Sequence, residues 1–143
     1  MRFQHICYGF GLLVLLFLGL LGQDTPALSQ AASTSESGVR ILVAYYSRTG
    51  NTEKMAQGVG KGAARIPGVS VLVKPITEVS KEDLESAHGI VLGSPTYFAN
   101  VPGTMKTVID DWNWKLKVDF TDKVGGAFAT AGGRTGGQGH VVT

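Results

Sequence analysis

The sequence predicts an α/β fold in which strands and helices alternate and the strands form one doubly wound parallel sheet. Short apolar runs such as Val39–Tyr46 and Gly89–Gly93 are typical of strands buried on both faces of a parallel sheet. Stretches with helical periodicity separate these runs. This alternating order is the one that right-handed β-α-β crossovers require.

Local signals place each element along the chain. The predicted strands are Val39–Tyr46, Val69–Lys74, Gly89–Gly93 and Val124–Thr130. The predicted helices are Thr52–Arg65, Ser80–Ala87 and Gly103–Asp111, and the chain finishes in a glycine-rich loop. In the first helix, Met55, Val59 and Ala63 form one apolar stripe. The segment Ser80-Lys81-Glu82-Asp83 has the pattern of a capping box at a helix start.

Composition narrows the function classes. The 143 residues fit one domain, and a formal charge of +2 without a run of Lys or Arg gives no basis for nucleic-acid or acidic-lipid binding. The single cysteine, Cys7, lies in the N-terminal segment, and most of the apolar run follows it. If that segment is removed, no disulfide, cysteine metal site or thiol catalysis is possible. No metal-ligand cluster is predicted.

The N-terminal segment, residues 1–30, has the layout of a secretory signal. Arg2 precedes an uncharged apolar stretch from Ile6 to Gly22, and small residues follow around Ala27 to Ala31. The alternative is a retained membrane anchor, although the stretch is short of the roughly 20 residues that a spanning helix needs. In both cases we expect the domain to be exported across the membrane. Residues 31–38 form a small polar linker to a domain at residues 39–143.

Loops rich in polar, aromatic or glycine residues follow the first, third and fourth predicted strands. The carboxyl ends of these strands share one edge of a parallel sheet. The first loop, Ser47-Arg48-Thr49-Gly50-Asn51-Thr52, offers hydroxyls, an amide and the N–H groups of a helix start. These groups suit a phosphate dianion. Neither a P-loop nor a dinucleotide Gly-x-Gly-x-x-Gly pattern is present. An ordinary helix-capping turn is the alternative interpretation.

Two further loops suit a flat ligand. The second, Ser94–Pro102, holds Tyr97 and Phe98, and an aromatic face favours a planar ring cofactor. The alternative is that these rings only cover the core. The third, Ala129–Gln138, is rich in glycine and allows close backbone approach to a ligand. The alternative interpretation of this third loop is a flexible tail.

The three loops together resemble a known superfamily. Tyr45–Thr52 resembles the FMN-phosphate loop of the flavodoxin superfamily. Gly93–Asn100, with Met105, Lys106 and Asp110 after it, is similar to the second loop and helix of the tryptophan-repressor-binding-protein-like (WrbA-type) NAD(P)H:quinone oxidoreductases. Thr130–Gly133 and Gly136–Gln138 resemble their third flavin loop. The resemblance covers residues 39–143 and implies a flavodoxin-like fold that binds FMN.

The resemblance also implies roles for individual residues. It assigns the phosphate group of FMN to the first loop and the flavin ring to the second and third. It places Thr49 toward the nicotinamide side and, more weakly, Trp112 or Trp114 at a quinone pocket, with a core anchor as the alternative for both tryptophans. The implied cofactor-binding residues are Ser47, Arg48, Thr49, Gly50, Asn51, Thr52, Pro95, Thr96, Tyr97, Phe98, Asn100, Thr130, Ala131, Gly132, Gly133, Arg134, Thr135, Gly136 and Gly137.

The sequence departs from the family pattern in two places. Gly139 stands where the family usually has Glu, and the chain stops at Thr143 without a counterpart of the family's fifth strand, fifth helix or flavin-contacting histidine. His140 is not that histidine by position. We therefore expect a domain truncated after its fourth strand, which would be left as an exposed edge.

Three functions remain open at this point. The first is two-electron reduction of a quinone by NAD(P)H through FMN, which requires no side-chain acid, base or nucleophile. This agrees with the isolated positions of His88 and His140. The second is a flavodoxin-type electron carrier, against which the lack of an acidic balance counts. The third is a non-catalytic remnant. The family resemblance also suggests a homo-oligomer.

Overall fold

Strands and helices alternate as predicted in the computed structural model, which describes residues 38–133 and 136–142. The strands are β1 (Val39–Tyr45), β2 (Val69–Pro75), β3 (Gly89–Pro95) and β4 (Val124–Thr130). The helices are α1 (Asn51–Ala63), α2 (Lys81–Ser86), α3 (Gly103–Trp114) and α4 (Gln138–Val142), and a 3-10 turn spans Ile76–Glu78. The helix α3 runs beyond its predicted end at Asp111, and α4 replaces the end of the predicted glycine-rich loop.

The predicted signal or anchor at residues 1–30, the linker up to residue 37, and Arg134 and Thr135 lie outside the described residues. Among the helices that are described, none is long and apolar enough to cross a membrane.

The four strands form one sheet in the order β2-β1-β3-β4, and every pairing is parallel. The chain moves from β1 to β2 in one direction and then places β3 and β4 on the other side of β1. The strand order therefore reverses between β1 and β3, which is the switch point where ligands bind in doubly wound sheets. Within the described residues, β4 is an edge strand.

Each face of the sheet packs against its own helices, because successive side chains of a strand point to opposite faces. On one face, Leu42 and Ala44 of β1 join Leu84 of α2 and Met105 and Trp112 of α3 in one core cluster. On the other face, Val43, Tyr45 and Phe128 pack against Ala56 of α1. The three predicted loops lie at the carboxyl edge of this sheet.

The predicted apolar stripe of α1 is not its buried face. The buried residues are Thr52, Ala56 and Gly60, while Met55 is 44% exposed. Val59 and Ala63 are only half-buried. The small residues let the helix lie close to the sheet, so that an added Cβ on Gly60 would come within 2.6 Å of Val73 Cγ2.

The predicted capping box of α2 is confirmed. Ser80 Oγ accepts a hydrogen bond from the N–H of Asp83 at 3.1 Å, and Asp83 Oδ2 accepts one from the N–H of Ser80 at 2.9 Å. The same oxygen of Asp83 also accepts from Lys74 Nζ on β2 at 2.8 Å. The carboxylate thus joins the start of α2 to an edge strand.

Candidate functional site

The three predicted loops meet at the carboxyl edge of the sheet. The N–H of Thr96 in the second loop donates to the carbonyl of Thr130 at 2.8 Å, and Thr130 Oγ1 lies 2.8 Å from Thr52 Oγ1 at the start of α1. The rings of Tyr46 and Tyr97 meet edge to face with centroids 6.4 Å apart. The structure thus brings the first, second and third loops together, as the topology predicts.

The first loop presents backbone donors. Gly50 precedes α1 with φ 81° and gives no side-chain cap, and its own N–H donates to Ser47 Oγ at 3.1 Å. The first helical hydrogen bond runs from the N–H of Lys54 to the carbonyl of Gly50. Within residues 38–133 and 136–142, the N–H groups of residues 51–53 therefore have no helical or capping acceptor. This arrangement favours an anion site over an ordinary capping turn.

A tyrosine lies directly beneath this loop. Tyr45, at the end of β1, is 6% exposed. Burial raises the pKa of its hydroxyl, and the negative charge and hydrogen bonding of Glu53 raise that pKa further. The Tyr45 hydroxyl therefore stays protonated at neutral pH, and its protonation is coupled to the carboxylate of Glu53 in the first turn of α1.

The second loop contains a strained turn. Tyr97 and Asn100 exchange backbone hydrogen bonds of 2.9 and 3.0 Å around Phe98 and Ala99, whose φ angles are 51° and 62°. Positive φ at both central positions defines a type I′ turn, which prefers Asn-Gly. The Phe98 side chain is fully exposed, and at the foot of the turn Thr96 Oγ1 is buried with no hydrogen-bond partner among the described residues. An unpartnered buried hydroxyl requires an explanation, and a bound ligand provides one.

The third loop packs on this turn. Gly137 has φ 78° and lies so close to Ala99 that an added Cβ would come within 2.6 Å of Ala99 Cα. Nothing lies within 4 Å of the Cβ positions of Gly132 and Gly133 among the described residues. Glycine is therefore required at 137 by both conformation and contact, whereas the earlier part of the loop leaves open space for a ligand.

The position of Trp112 agrees with the alternative interpretation of this residue as a core anchor. Its side chain is 3% exposed and belongs to the core cluster beneath α3. Trp114 is 69% exposed, with Lys117 Nζ 5.3 Å from its ring centroid. Trp112 is thus a core anchor. Thr49, the other predicted substrate residue, is exposed in the first loop.

The described residues include two histidines, His88 and His140. His88 Nδ1 accepts the N–H of Arg40 at 3.0 Å, which is a structural role. Across the described part of the chain, no group of three His, Cys, Asp or Glu side chains can hold a metal ion. The site is therefore one of backbone donors, hydroxyls and aromatic rings.

Two residues of this site are absent from the predicted set. Ala99 holds the strained turn against Gly137, and Glu53 is tied to Tyr45. Ala99 has no local signal, because the turn positions with positive φ favour Gly, Asn or Asp. The Tyr45–Glu53 pair has no local signal, because it depends on how α1 lies on the sheet.

Comparison with known families decides the assignment. The family model for NADPH-dependent FMN reductase matches residues 39–142. The chain belongs to this family. Among solved structures, a flavodoxin from the domain Archaea superposes with a TM-score of 0.61 at 28% identity, covering 68% of this chain and 66% of that one. A WrbA-like flavodoxin from Agrobacterium tumefaciens gives a TM-score of 0.60 at 24% identity over 73% and 68% of the two chains, which supports the fold.

Curated relatives of this family member carry the name flavodoxin. The one from Aquifex aeolicus (strain VF5) is 41% identical over 99 residues, covering 69% of this chain and 54% of the relative. The one from Clostridium saccharobutylicum is 34% identical over 100 residues, covering 70% and 61%. The chain thus spans less than two thirds of the length of these relatives. It has the flavodoxin-like fold.

Proposed function

We propose that this domain binds FMN at the three-loop edge of the sheet and carries electrons between protein partners. The observation that carries the proposal is the convergence of two features at that edge. The N–H groups at the start of α1 have no acceptor in the described chain, and Thr96 Oγ1 is buried without a partner there. These N–H groups suit the phosphate group of FMN, and the Thr96 hydroxyl suits the polar edge of the flavin ring.

The residues present fit FMN as a ligand. The first loop would hold the phosphate through its N–H groups and hydroxyls, and Thr96 would supply a hydrogen bond to the ring system. The aromatic pair Tyr46 and Tyr97 closes one side of the site, and Gly132 and Gly133 leave space for close approach. When bound, FMN supplies reversible electron-transfer chemistry, while the protein binds, orients and shields it.

The curated relatives support the carrier role more than an enzymatic one, because those proteins are named flavodoxin. A carrier with a formal charge of +2 has no net acidic surface with which to attract strongly basic partners. The proposal therefore predicts a partner whose docking surface is near neutral or acidic.

A second candidate is reduction of a quinone by NAD(P)H through the bound flavin. It is supported by the family description, NADPH-dependent FMN reductase, and by the WrbA-like structural neighbour. This candidate requires no side-chain acid, base or nucleophile, since hydride transfer belongs to the flavin.

The decisive experiment uses the purified full chain. A visible spectrum and an FMN titration should show about one flavin per chain, which supports the binding proposal. NADPH and NADH are then supplied in turn together with a benzoquinone. The carrier role predicts no pyridine-nucleotide oxidation until a separate reductase is added, and rapid oxidation without it would instead establish the enzyme. A chain that binds no flavin would contradict both and indicate a non-catalytic remnant.

We also propose that the domain acts outside the cytoplasmic membrane, on the strength of the N-terminal segment. Fractionation of cells with an antibody to the domain should place it in the exported or membrane fraction. Recovery in the cytoplasm alone would contradict this localisation.

A further inference from the structure

One threonine joins all three loops of the site. The hydroxyl of Thr130 lies 2.8 Å from that of Thr52, and its carbonyl accepts the N–H of Thr96 at 2.8 Å. Among the described residues, the Thr52–Thr130 contact is the side-chain hydrogen bond that connects the start of α1 to the end of β4. Thr130 therefore has a backbone link to the second loop and a separate hydroxyl link to the first.

Thr52 has little freedom to choose another partner. It is 2% exposed and belongs to the face of α1 that packs on the sheet. A threonine hydroxyl has one proton and two acceptor lone pairs. If Thr52 donates to Thr130, its proton is used within the protein. If it accepts from Thr130, its proton remains available to a ligand.

A phosphate dianion resolves this choice, because it only accepts hydrogen bonds. We propose that Thr130 is a positioning residue for phosphate recognition: its hydroxyl donates to Thr52 Oγ1 and leaves the Thr52 proton available to the phosphate group of FMN. The inference rests on the proposed FMN site. A chain of hydroxyls polarised in one direction is stronger than its separate bonds, which favours this orientation once an anion is present.

The experiment compares FMN with riboflavin, which lacks the phosphate group. Thr130→Val in the full chain removes the hydroxyl and keeps the branched shape and the backbone link to Thr96. We expect the Kd for FMN to rise about fivefold to tenfold, while the Kd for riboflavin stays within about twofold. Thr130→Ser should restore FMN binding. Thr107→Val, the same chemical change at an exposed position of α3, is the matched control.

Two additional comparisons keep the test independent of folding. If Thr130→Val does not fold, Thr130→Ser and Thr130→Ala differ only in the hydroxyl and should show the same FMN-specific difference. In a Thr52→Val background, Thr130→Val should cause no further loss of FMN affinity, because the two hydroxyls act in series.

The outcomes separate this inference from the proposed function. A wild-type chain that binds FMN, with Thr130→Val weakening FMN and riboflavin equally, would show that Thr130 has only a structural role and overturn the inference alone. Unchanged binding of both flavins by Thr130→Val would do the same. A wild-type chain that binds neither flavin would overturn the proposed function and the inference together.

Discussion

The ring of Phe128 lies where a side chain of Gly93 would stand. A Cβ built on Gly93 overlaps the Cζ, Cε1 and Cε2 atoms of that ring, and Phe128 is itself 9% exposed. The glycine on β3 and the phenylalanine on β4 are direct partners in the sheet register. The absence of a side chain at residue 93 is thus part of the packing beneath the second loop.

We therefore expect Gly93→Ala to lower the free energy of unfolding by about 1–3 kcal/mol, because the Phe128 ring must leave its position. The matched control is Gly126→Ala on β4, where the new Cβ would lie 3.6 Å from Val91 Cγ2, an ordinary contact. The control should change the free energy by less than about 1 kcal/mol. Urea unfolding of both variants measures the difference, and equal effects would contradict the packing argument.

Ala99 shows why the sequence predicts only some of the contacts of the second loop. The sequence predicts aromatic contacts at Tyr97 and Phe98, yet the structure leaves Phe98 in solvent and uses Ala99 as the contact with the third loop. A non-glycine residue at φ 62° is uncommon, and such strain concentrates at functional sites. Sequence patterns favour glycine at a turn position with positive φ. No local pattern therefore predicts that Ala99 adopts this conformation.

At the scale of elements, α1 shows how a helix can pack through its small residues. The spacing of Met55, Val59 and Ala63 predicts a buried stripe, but the sheet supplies the apolar volume through Val43, Val71 and Val73, and α1 presents Thr52, Ala56 and Gly60 to it. A prediction from hydrophobic periodicity depends mainly on large apolar side chains. It therefore assigns the wrong buried face to a helix that packs through small residues. The capping box of α2 was predictable because its signal lies within four consecutive residues.

The glycines of α1 give an element-scale prediction. Gly60→Ala places a Cβ 2.6 Å from Val73 Cγ2, so we expect a loss of about 1–3 kcal/mol as the helix moves away from β2. Gly58→Ala in the same helix meets nothing within 4 Å and should stabilise the protein by about 1 kcal/mol through helix propensity. Thermal and urea unfolding of the two variants test this, and stabilisation by Gly60→Ala would show that α1 has room to adjust.

For the whole molecule, the parallel sheet and the edge at which the site lies were predictable, because parallel strands joined by helices bring their carboxyl ends to one edge. The contacts that complete the site were not. Thr52 and Thr130 are 78 positions apart, and Gly137 meets Ala99 across two loops. Such pairs depend on the tilt of α1 and the path of the third loop, which local patterns do not encode.

The stability of the whole fold should depend on pH through Asp83. Two hydrogen bonds lower the pKa of the Asp83 carboxyl below its usual value. The one from Lys74 has the larger effect, and the one from the N–H of Ser80 adds to it. A carboxyl whose pKa is lower in the folded than in the unfolded chain stabilises the fold at pH values above its unfolded pKa of about 4. That stabilisation is lost as the pH falls through the lower, folded value.

Asp83→Asn removes this charge from the contact between α2 and β2. We expect it to lower the free energy of unfolding by about 1 kcal/mol at pH 7, with the difference from wild type shrinking between about pH 5 and pH 3 because the wild-type carboxyl becomes protonated. Glu85→Gln breaks an exposed pair with Lys81 and should cost less than about 0.5 kcal/mol at pH 7. Urea unfolding at pH 7, 5 and 3 provides the measurement. If the difference in the free energy of unfolding between wild type and Asp83→Asn stays constant down to pH 3, the charge of Asp83 does not stabilise the fold, and the variant loses stability through altered packing.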